Sequence, residues 1–323
     1  MKLGVFTVLF GDKNLTETLE YLKLIGVDAV EIGCGGYPGT AHCDAAGFIN
    51  NKSLIKEFKD TIDKYGMTLS ALSVHGNPVH PQKETAKKYN AEFEAAVQLA
   101  GELGLDTVVT FSGCPGDSEN SKYPNWVTCP WPDDYPEILK WQWNEVLVPY
   151  WQKAAEFSKK YGVSKIALEM HPGFCVYNPA TLLRLRNAVG GDIIGANFDP
   201  SHLFWQGIDP VAAIRELKGA IHHFHAKDTK VDLYNTSKNG VLDTGHFANE
   251  AQRSWLFRTV GYGHGEEVWR AICSELRLAG YDHVMSIEHE DSLMTSKEGL
   301  EKAVEFLKRV MIFENKPTDM WWA

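Results

Sequence analysis

The chain has 323 residues, of which 44% are hydrophobic and 11% aromatic, and this composition supplies enough apolar side chains for a large core. Its 23% of charged residues is typical of a soluble globular protein, so disorder is not expected. The formal net charge of -10 argues against a surface that covers nucleic-acid phosphates, because nonspecific affinity for phosphates comes mainly from Lys and Arg. No nucleic-acid partner is therefore expected.

Cysteine usage and hydropathy indicate the compartment. The six cysteines show no Cys-x-x-Cys spacing, which favours a reducing, intracellular setting over a disulfide framework or a thiolate metal site. No stretch approaches the ~18 consecutive apolar residues of a membrane span. The apolar run at 3–10 is not followed by a small-residue cleavage site, so it is interpreted as a strand. We expect a cytoplasmic protein without a membrane partner.

Eight short runs, rich in β-branched or aromatic residues and closed by Gly, Pro or charge, predict buried parallel strands. They lie at residues 2–8, 27–32, 67–74, 106–111, 165–169, 193–199, 221–228 and 284–288. Helical patterns follow them at about 15–25, 54–65, 84–103, 137–161, 179–188, 210–217, 266–279 and 296–313. Asn14 is predicted to cap the first helix, and Gly104 to end the third.

Two connections are longer than the others. Residues 112–136, after the fourth strand, are dense in Pro, Gly, Asn and Trp, and residues 229–262, after the seventh, are predicted to be irregular. Loops of this length are more often functional than idle. In the first loop, Trp126 and Trp131 either wall a sugar pocket or anchor the loop. The glycine-rich run at 261–265 lacks the spacing of a dinucleotide fingerprint and is interpreted as a turn.

Repeated strand-helix units imply a parallel sheet with right-handed crossovers. Eight such units imply closure into an α/β (β/α)8 TIM barrel, with residues 1–323 as one domain and with long βα loops after strands 4 and 7. The alternative is an open doubly wound sheet, which would carry a glycine fingerprint after its first strand. That fingerprint is missing, and polar residues recur after many strands, so the barrel is favoured.

The fifth to eighth strands each end in a group that can bind metal, namely Glu169, Asp199, His225 and Glu288. Because the carboxyl ends of barrel strands build the active site, these side chains are expected at a common mouth. Three carboxylates and one imidazole suit one divalent cation, with Mn2+ expected and Mg2+, Co2+ or Zn2+ as alternatives. Taken singly, each residue would be interpreted as a salt-bridge or capping residue.

Six further residues are candidates for substrate binding: His75, Asn77, His171, His202, Lys227 and Arg258. Lys227 is two residues beyond His225 and so shares its face of the strand. Arg258 is expected to reach an anionic or hydroxylated ligand. For each candidate the alternative is structural, as a loop hydrogen bond, a helix cap or a satisfied residue at the rim. Glu31, at the end of the second strand, is open to the same two interpretations.

The chain resembles the xylose isomerase-like TIM barrel superfamily, the sugar phosphate isomerases/epimerases, along nearly its whole length. The resemblance lies in Leu168-Glu169-Met170-His171, Phe198-Asp199-Pro200-Ser201-His202, Phe224-His225-Ala226-Lys227-Asp228 and Ser286-Ile287-Glu288-His289. These motifs are similar to the family's Glu, Asp, His, Glu metal set. The resemblance implies that Glu169 and Glu288 are also the catalytic acid/base pair, as in ketose 3-epimerases. It implies a small-molecule sugar or keto-sugar as substrate.

The resemblance leaves several activities open. A metal-dependent isomerase or epimerase would work through an enediolate of a ketose or keto-sugar. A lyase or dehydratase would expel a β leaving group from an inosose or 3-keto-glycoside, with His171 or His202 as the acid. An endonuclease IV-like phosphodiesterase would act on damaged DNA, against which the acidic charge counts. A noncatalytic sugar-binding barrel is the last alternative, and a homo-oligomer is compatible with all four.

Overall fold

A closed parallel barrel is the centre of the computed structural model, which describes residues 1–315 and Trp322. The strands of the described residues are β1 (Lys2–Phe6), β2 (Ala29–Gly33), β3 (Thr68–Ser73), β4 (Thr107–Phe111), β5 (Lys165–Glu169), β6 (Ile194–Phe198), β7 (Ile221–Ala226), β8 (Asp228–Val231), β9 (Trp255–Arg258) and β10 (Val284–Ile287). Eight of them close the barrel in the order β1-β10-β7-β6-β5-β4-β3-β2, while β8 and β9 form a separate antiparallel pair. The predicted (β/α)8 TIM barrel is confirmed.

Helices cover the outside of the barrel close to the predicted positions. In chain order they are α1 (Leu15–Leu24), α2 (Ala45–Phe48), α3 (Lys52–Lys64), α4 (Lys83–Leu103), α5 (Asp134–Trp141), α6 (Val148–Lys160), α7 (Pro179–Val189), α8 (Pro200–Phe204), α9 (Pro210–Glu216), α10 (Leu233–Asn239), α11 (Glu266–Leu278) and α12 (Ser296–Val310). Asn14 caps α1 in a capping box with Glu17, and Gly104 ends α4 at a φ of 75°. In the described part of the chain, no helix combines the length and apolar character needed to cross a membrane.

The barrel strands are covered on both faces, by helices outside and by side chains of the interior. Every residue of β2, β6 and β10 is buried, as expected for parallel strands of this kind. On the interior face, Ala71, Val109 and Ala167 form a small cluster. Ala167 precedes Glu169 by two residues, and side chains two apart on a strand point the same way. The Glu169 carboxylate therefore lies above this apolar layer.

Three segments differ from the sequence-based predictions. β1 ends at Phe6, and a 3-10 helix at Thr7–Phe10 replaces the rest of the predicted strand. The helix predicted from residue 137 begins at Asp134 and continues through a π-helical turn into α6. The segment 229–262, predicted to be irregular, contains α10 and a two-stranded sheet. Its alternation of buried Trp255 and Phe257 with less buried neighbours spans only four residues, which is too short a pattern to predict a strand.

The carboxylate of Asp228 holds the glycine-rich run before α11 in place. This side chain is completely buried. Its Oδ2 accepts hydrogen bonds from the backbone N–H groups of Gly261 (3.0 Å), Gly263 (3.1 Å) and His264 (2.9 Å), and from the indole of Trp269 (3.3 Å). A buried carboxylate with this many donors cannot be replaced without leaving some of them unpaired. Asp228 therefore anchors the end of the segment that follows β7.

Replacing Asp228 by Asn should lower the free energy of unfolding by about 2–4 kcal/mol, because the amide presents donors where the carboxylate accepts them. Urea denaturation followed by circular dichroism measures the change. Asp63→Asn is the matched control, since Asp63 is exposed on α3 and pairs with Lys59 at 2.9 Å. The control should shift the free energy by less than about 0.5 kcal/mol. An equally small shift for Asp228→Asn would contradict the anchoring role.

Candidate active site at the barrel mouth

The structure brings the four predicted metal ligands together at the carboxyl ends of β5, β6, β7 and β10. Glu169 is the last residue of β5, Asp199 follows β6, His225 lies near the end of β7, and Glu288 follows β10. One potential ligand atom from each residue lies within 4.8 Å of those of the other three. All are buried except Glu288, whose side chain is 12% exposed. The shape of the barrel thus gathers residues that are far apart in the chain.

Two buried atoms of these four residues lack hydrogen-bond partners, and they show whether the four residues fit a bound cation. Among the described residues, Asp199 Oδ2 and His225 Nδ1 have no hydrogen-bond partner, although both side chains are fully buried. His225 Nδ1 lies 3.2 Å from a carboxylate oxygen of both Glu169 and Glu288, without hydrogen-bond geometry. Buried polar atoms without partners are unusual and need an explanation. A divalent cation held among these oxygens and this nitrogen would supply one, so the donor set fits a metal.

The excess negative charge of the cluster also favours a bound cation. Burial, and then the neighbouring carboxylates of Glu169 and Glu288, raise the pKa of Asp199 to about 6. Three carboxylates in one buried cluster repel each other, and each would be stabilised by added positive charge. A dication at their centre would relieve this repulsion.

Glu31 fixes the orientation of the His225 ring. It comes from β2, it is fully buried, and its two carboxylate oxygens accept from His225 Nε2 at 2.9 and 3.0 Å. With Nε2 donating to Glu31, Nδ1 is the ring nitrogen that faces the metal cluster, and its lone pair becomes available to a metal once the Nδ1 proton is lost. Burial would raise the pKa of Glu31, but the charges on His225 and His223 lower it to about 2. The sequence left the role of Glu31 open, and the structure places it against His225.

The carboxylate of Glu169 is held on both oxygens. Its Oε2 accepts from His75 Nε2 at 3.0 Å and from Asn197 Nδ2 at 3.1 Å, while Oε1 accepts from His202 Nε2 at 3.1 Å. Burial would raise the pKa of Glu169, but hydrogen bonds from His202 and His75 and the adjacent His225 ring lower it well below its usual range. Glu169 is therefore a carboxylate at neutral pH. The sequence analysis missed Asn197, whose inward position on β6 is visible only once the strand register is known.

Lys227 holds the carboxylate of Glu288, as the histidines and Asn197 hold that of Glu169. Its Nζ lies 3.2 Å from Glu288 Oε2 and 2.5 Å from Glu290 Oε2, and it sits 4.2 Å from the ring centroid of Phe257. Burial would raise the pKa of Glu288, but the charges on Lys227 and His225 lower it to about 2. Glu290, which the sequence analysis did not select, thus completes the ion-pair network of Lys227.

A cavity of about 530 Å³ is lined in part by His171, His202 and Glu290, and it adjoins the cluster because His202 contacts Glu169 and Glu290 pairs with Lys227. The rings of His171 and His202 lie 4.1 Å apart. Burial and the nearby His202 lower the pKa of His171 to about 3, so His171 is neutral at physiological pH. A neutral imidazole at the wall can donate or accept a hydrogen bond from a hydroxylated ligand.

Of the six predicted substrate-binding residues, His171 and His202 line the cavity. His75 and Lys227 contact Glu169 and Glu288 instead, and the other two lie elsewhere. The Asn77 amide donates to the Cys114 carbonyl at 2.9 Å and accepts from the Cys114 N–H at 3.1 Å, so it holds the loop after β4. Arg258 Nε lies 3.1 Å from Asp291 Oδ2 in a pair that supports β9. Neither residue is among those that line the cavity. This geometry favours structural roles for both.

The protein is thus an eight-stranded parallel barrel with a candidate metal centre at its mouth. The centre consists of three carboxylates and one imidazole. The chain belongs to the xylose isomerase-like TIM barrel family, whose family model matches residues 19–310. The uncharacterized protein YfiH of Bacillus subtilis (strain 168) is 38% identical over 313 residues, which cover 96% of this chain and 99% of YfiH. The family resemblance predicted from the sequence is confirmed.

Several solved structures share the fold. The probable 3-DHS dehydratase AsbF from Bacillus anthracis has a TM-score of 0.65 at 18% identity, covering 95% of this chain and 99% of AsbF. The IOLI protein, solved with a bound zinc atom, has a TM-score of 0.64 at 20% identity and 96% coverage of both chains. The 3-keto-D-glucoside 4-epimerase YcjR from E. coli has a TM-score of 0.63 at 15% identity, covering 96% of this chain and 99% of YcjR. At these identities the likeness shows the fold.

Replacing Glu31 by Gln should weaken the binding of Mn2+ or Zn2+ by about 10- to 100-fold, because His225 exchanges a charged carboxylate that accepts on both oxygens for a single neutral carbonyl oxygen that holds its ring less firmly. All four proposed ligands remain in this variant. Isothermal titration calorimetry of the metal-free protein measures the affinity directly, and thermal melting verifies that the variant is folded. Glu20→Gln, on the exposed surface of α1, is the control and should bind metal as the unchanged protein does. Unchanged affinity in Glu31→Gln would show that Glu31 does not position His225.

Proposed function

We propose that this protein is a metal-dependent isomerase or epimerase that moves a proton next to the carbonyl of a keto-sugar. The observation that carries the proposal is the placement of two ionised carboxylates, Glu169 and Glu288, each with an oxygen 3.2 Å from His225 Nδ1. Two bases close to one metal position suit proton transfer at a carbon held between them.

Glu169, Asp199, His225 and Glu288 would hold the metal. When bound, a divalent cation supplies Lewis-acid polarisation of a carbonyl and its neighbouring hydroxyl, which makes the α-proton more acidic. The chain's own contribution begins with orientation, since the hydrogen bonds from His75, Asn197 and His202 fix the Glu169 carboxylate. Their fixed geometry lowers the cost of reaching the reactive arrangement.

The two glutamates would divide the proton transfer. One carboxylate accepts the α-proton, and the other returns a proton to the opposite face in an epimerisation or to the adjacent carbon in an isomerisation. Lys227, paired with Glu288 at 3.2 Å, favours the ionised form of that glutamate. Burial of Glu169 limits exchange of the transferred proton with bulk water.

The structural neighbours support this class of reaction. YcjR is named as a 3-keto-D-glucoside 4-epimerase, and the IOLI protein binds a zinc atom on the same fold. The same fold also occurs in AsbF, which is named as a probable dehydratase. Fold alone does not select among these activities, which is why the proposal rests on the two glutamates.

A lyase is the second candidate, and the position of His202 favours it. Its Nε2 lies 3.1 Å from Glu169 Oε1 and its ring lines the cavity, so it could donate a proton to a leaving hydroxyl or alkoxide β to the carbonyl. Elimination would give an unsaturated product that absorbs in the ultraviolet. Epimerisation and isomerisation would not.

Replacing Glu169 or Glu288 by Gln should reduce turnover by at least the ~100-fold typical of general-base loss while part of the metal is retained. The amide keeps an oxygen for coordination but cannot accept the α-proton. Asp199→Asn and His225→Ala should instead lose activity mainly through metal affinity, and excess metal should restore part of it. The metal-loaded variants are incubated with ketoses, inososes and 3-keto-glycosides in D2O, and NMR follows deuterium entering the product.

Glu20→Gln is the control for this experiment and should exchange the proton at the wild-type rate. If both glutamine variants also exchange it at that rate, neither glutamate is the base, and His171 or His202 takes its place. An ultraviolet-absorbing product without epimer would establish the lyase instead.

A further inference from the structure

Three polar side chains lie side by side on neighbouring strands inside the barrel. Glu169 of β5 pairs in register with Asn197 of β6, and Asn197 pairs with His223 of β7. Each of the three is at most 2% exposed. Branched apolar residues usually fill the interior of such a barrel, and buried polar groups cost free energy unless they are hydrogen-bonded. The role of Glu169 has been argued above, whereas that of His223 has not.

The amide of Asn197 bridges the other two side chains. Its Nδ2 donates to Glu169 Oε2 at 3.1 Å, because an ionised carboxylate can only accept. Its Oδ1 then faces the other way and lies 3.0 Å from His223 Nδ1. An amide oxygen can only accept, so His223 must carry a proton on Nδ1. The hydrogen bonds therefore run in one direction, from His223 through Asn197 to the carboxylate.

The remaining contacts of His223 hold its ring in this orientation. Nε2 lies 3.3 Å from Ser70 Oγ, and the Ser70 hydroxyl can donate either to Nε2 or to the Val30 carbonyl at 3.1 Å. On the other side of the ring, Nδ1 lies 3.9 Å from Glu31 Oε2, a second acceptor. Ser70 is on β3, which lies opposite β7 in the barrel. The ring thus spans the interior and is held from several strands.

This arrangement affects how firmly Asn197 holds Glu169. The terminal torsion of an Asn side chain has a broad energy minimum, so a contact on Oδ1 helps to fix the plane of the amide. Hydrogen bonds in series also polarise one another in surroundings of low dielectric constant. Donation from His223 to Oδ1 therefore makes Nδ2 both a better oriented and a stronger donor to the carboxylate.

We propose that His223 is a positioning residue for Glu169 and acts on it through Asn197. His223 fixes the Asn197 amide with Nδ2 towards the carboxylate, and this fixes the carboxylate where it would meet the metal and the substrate. The inference deepens the proposed function and rests on it for the chemistry that Glu169 performs. The hydrogen bonds themselves exist whatever that chemistry is, and they can be measured without turnover.

The position of the proton on the His223 ring is the first test. In the metal-free full chain labelled with 15N-histidine, NMR distinguishes a proton on Nδ1 from one on Nε2 by the couplings of each nitrogen to the ring C–H groups. The signals of His223 are identified by their loss in His223→Asn. They should show the proton on Nδ1. A proton on Nε2 alone would overturn the proposal, because His223 would then have nothing to donate to Asn197.

Metal affinity tests whether this hydrogen bond acts on Glu169. Isothermal titration calorimetry with Mn2+ or Zn2+ compares the unchanged chain with His223→Asn and His223→Leu. The amide nitrogen of the new Asn takes the place of Nδ1 and can donate, whereas Leu fills the space without a donor. His223→Leu should bind metal about 10-fold more weakly, and His223→Asn should keep most of the affinity. If His223 only filled space, Leu would be the milder change because it is closer to His in size, and that order would overturn the proposal.

A double-mutant cycle tests whether His223 acts through Asn197. In the Asn197→Leu background, His223→Leu should change the metal affinity by less than about 2-fold, because the bridge is already lost. An undiminished 10-fold loss in that background would overturn the proposal. The control is His246→Leu, on an exposed position between α10 and β9, which should bind metal as the unchanged chain does.

Thermal melting verifies that each variant is folded. If His223→Leu does not fold, His223→Gln replaces it, because the amide nitrogen of Gln matches Nε2 instead of Nδ1. If the expected order of affinities is found but no sugar exchanges its α-proton, the positioning role stands and only the proposed function fails. If the α-proton exchanges and His223→Leu matches the unchanged chain in metal affinity and in exchange rate, only the positioning role fails.

Discussion

Buried negative charge at the barrel mouth is the constraint on which the rest of the site depends. Glu31, Glu169 and Asp199 are at most 2% exposed, and carboxylates at such depth are strongly disfavoured unless positive charge or N–H donors oppose them. His225 stands between Glu31 on one side and Glu169 with Glu288 on the other. The polar contacts around this cluster all serve to balance its charge.

The barrel meets this constraint by distributing the charges over several rigid strands. The proposed metal ligands come from four neighbouring strands, while Glu31 reaches the same place from β2 and Asn197 from inside β6. Because each side chain is held by a paired strand, the carboxylates are oriented before any ligand arrives. Preorganisation of this kind is what a site for proton transfer needs, since misplaced bases lose most of their effect.

The segment at residues 228–258, which contains β8, α10 and β9, is attached to this scaffold without contributing a strand to the barrel. Asp228 connects the two, because it begins β8 two residues after the end of β7 and holds the glycine-rich run that leads into α11. The carboxyl ends of the barrel strands carry the candidate metal ligands, while residues 228–258 contribute side chains to the neighbouring cavity. Such a division lets one barrel serve many substrates through changes in its loops.

The sequence by itself determined the alternation of strands and helices, because residue periodicity and caps such as Asn14 are local signals. It also predicted the four metal-ligand candidates, since parallel strands deliver their carboxyl ends to one side. Only the tertiary structure decided that Glu31 meets His225, which is 194 residues away in the chain. It also decided that Asn77 and Arg258 hold loops, and that a short sheet faces the cavity. Such contacts depend on barrel closure and strand register, which no local pattern encodes.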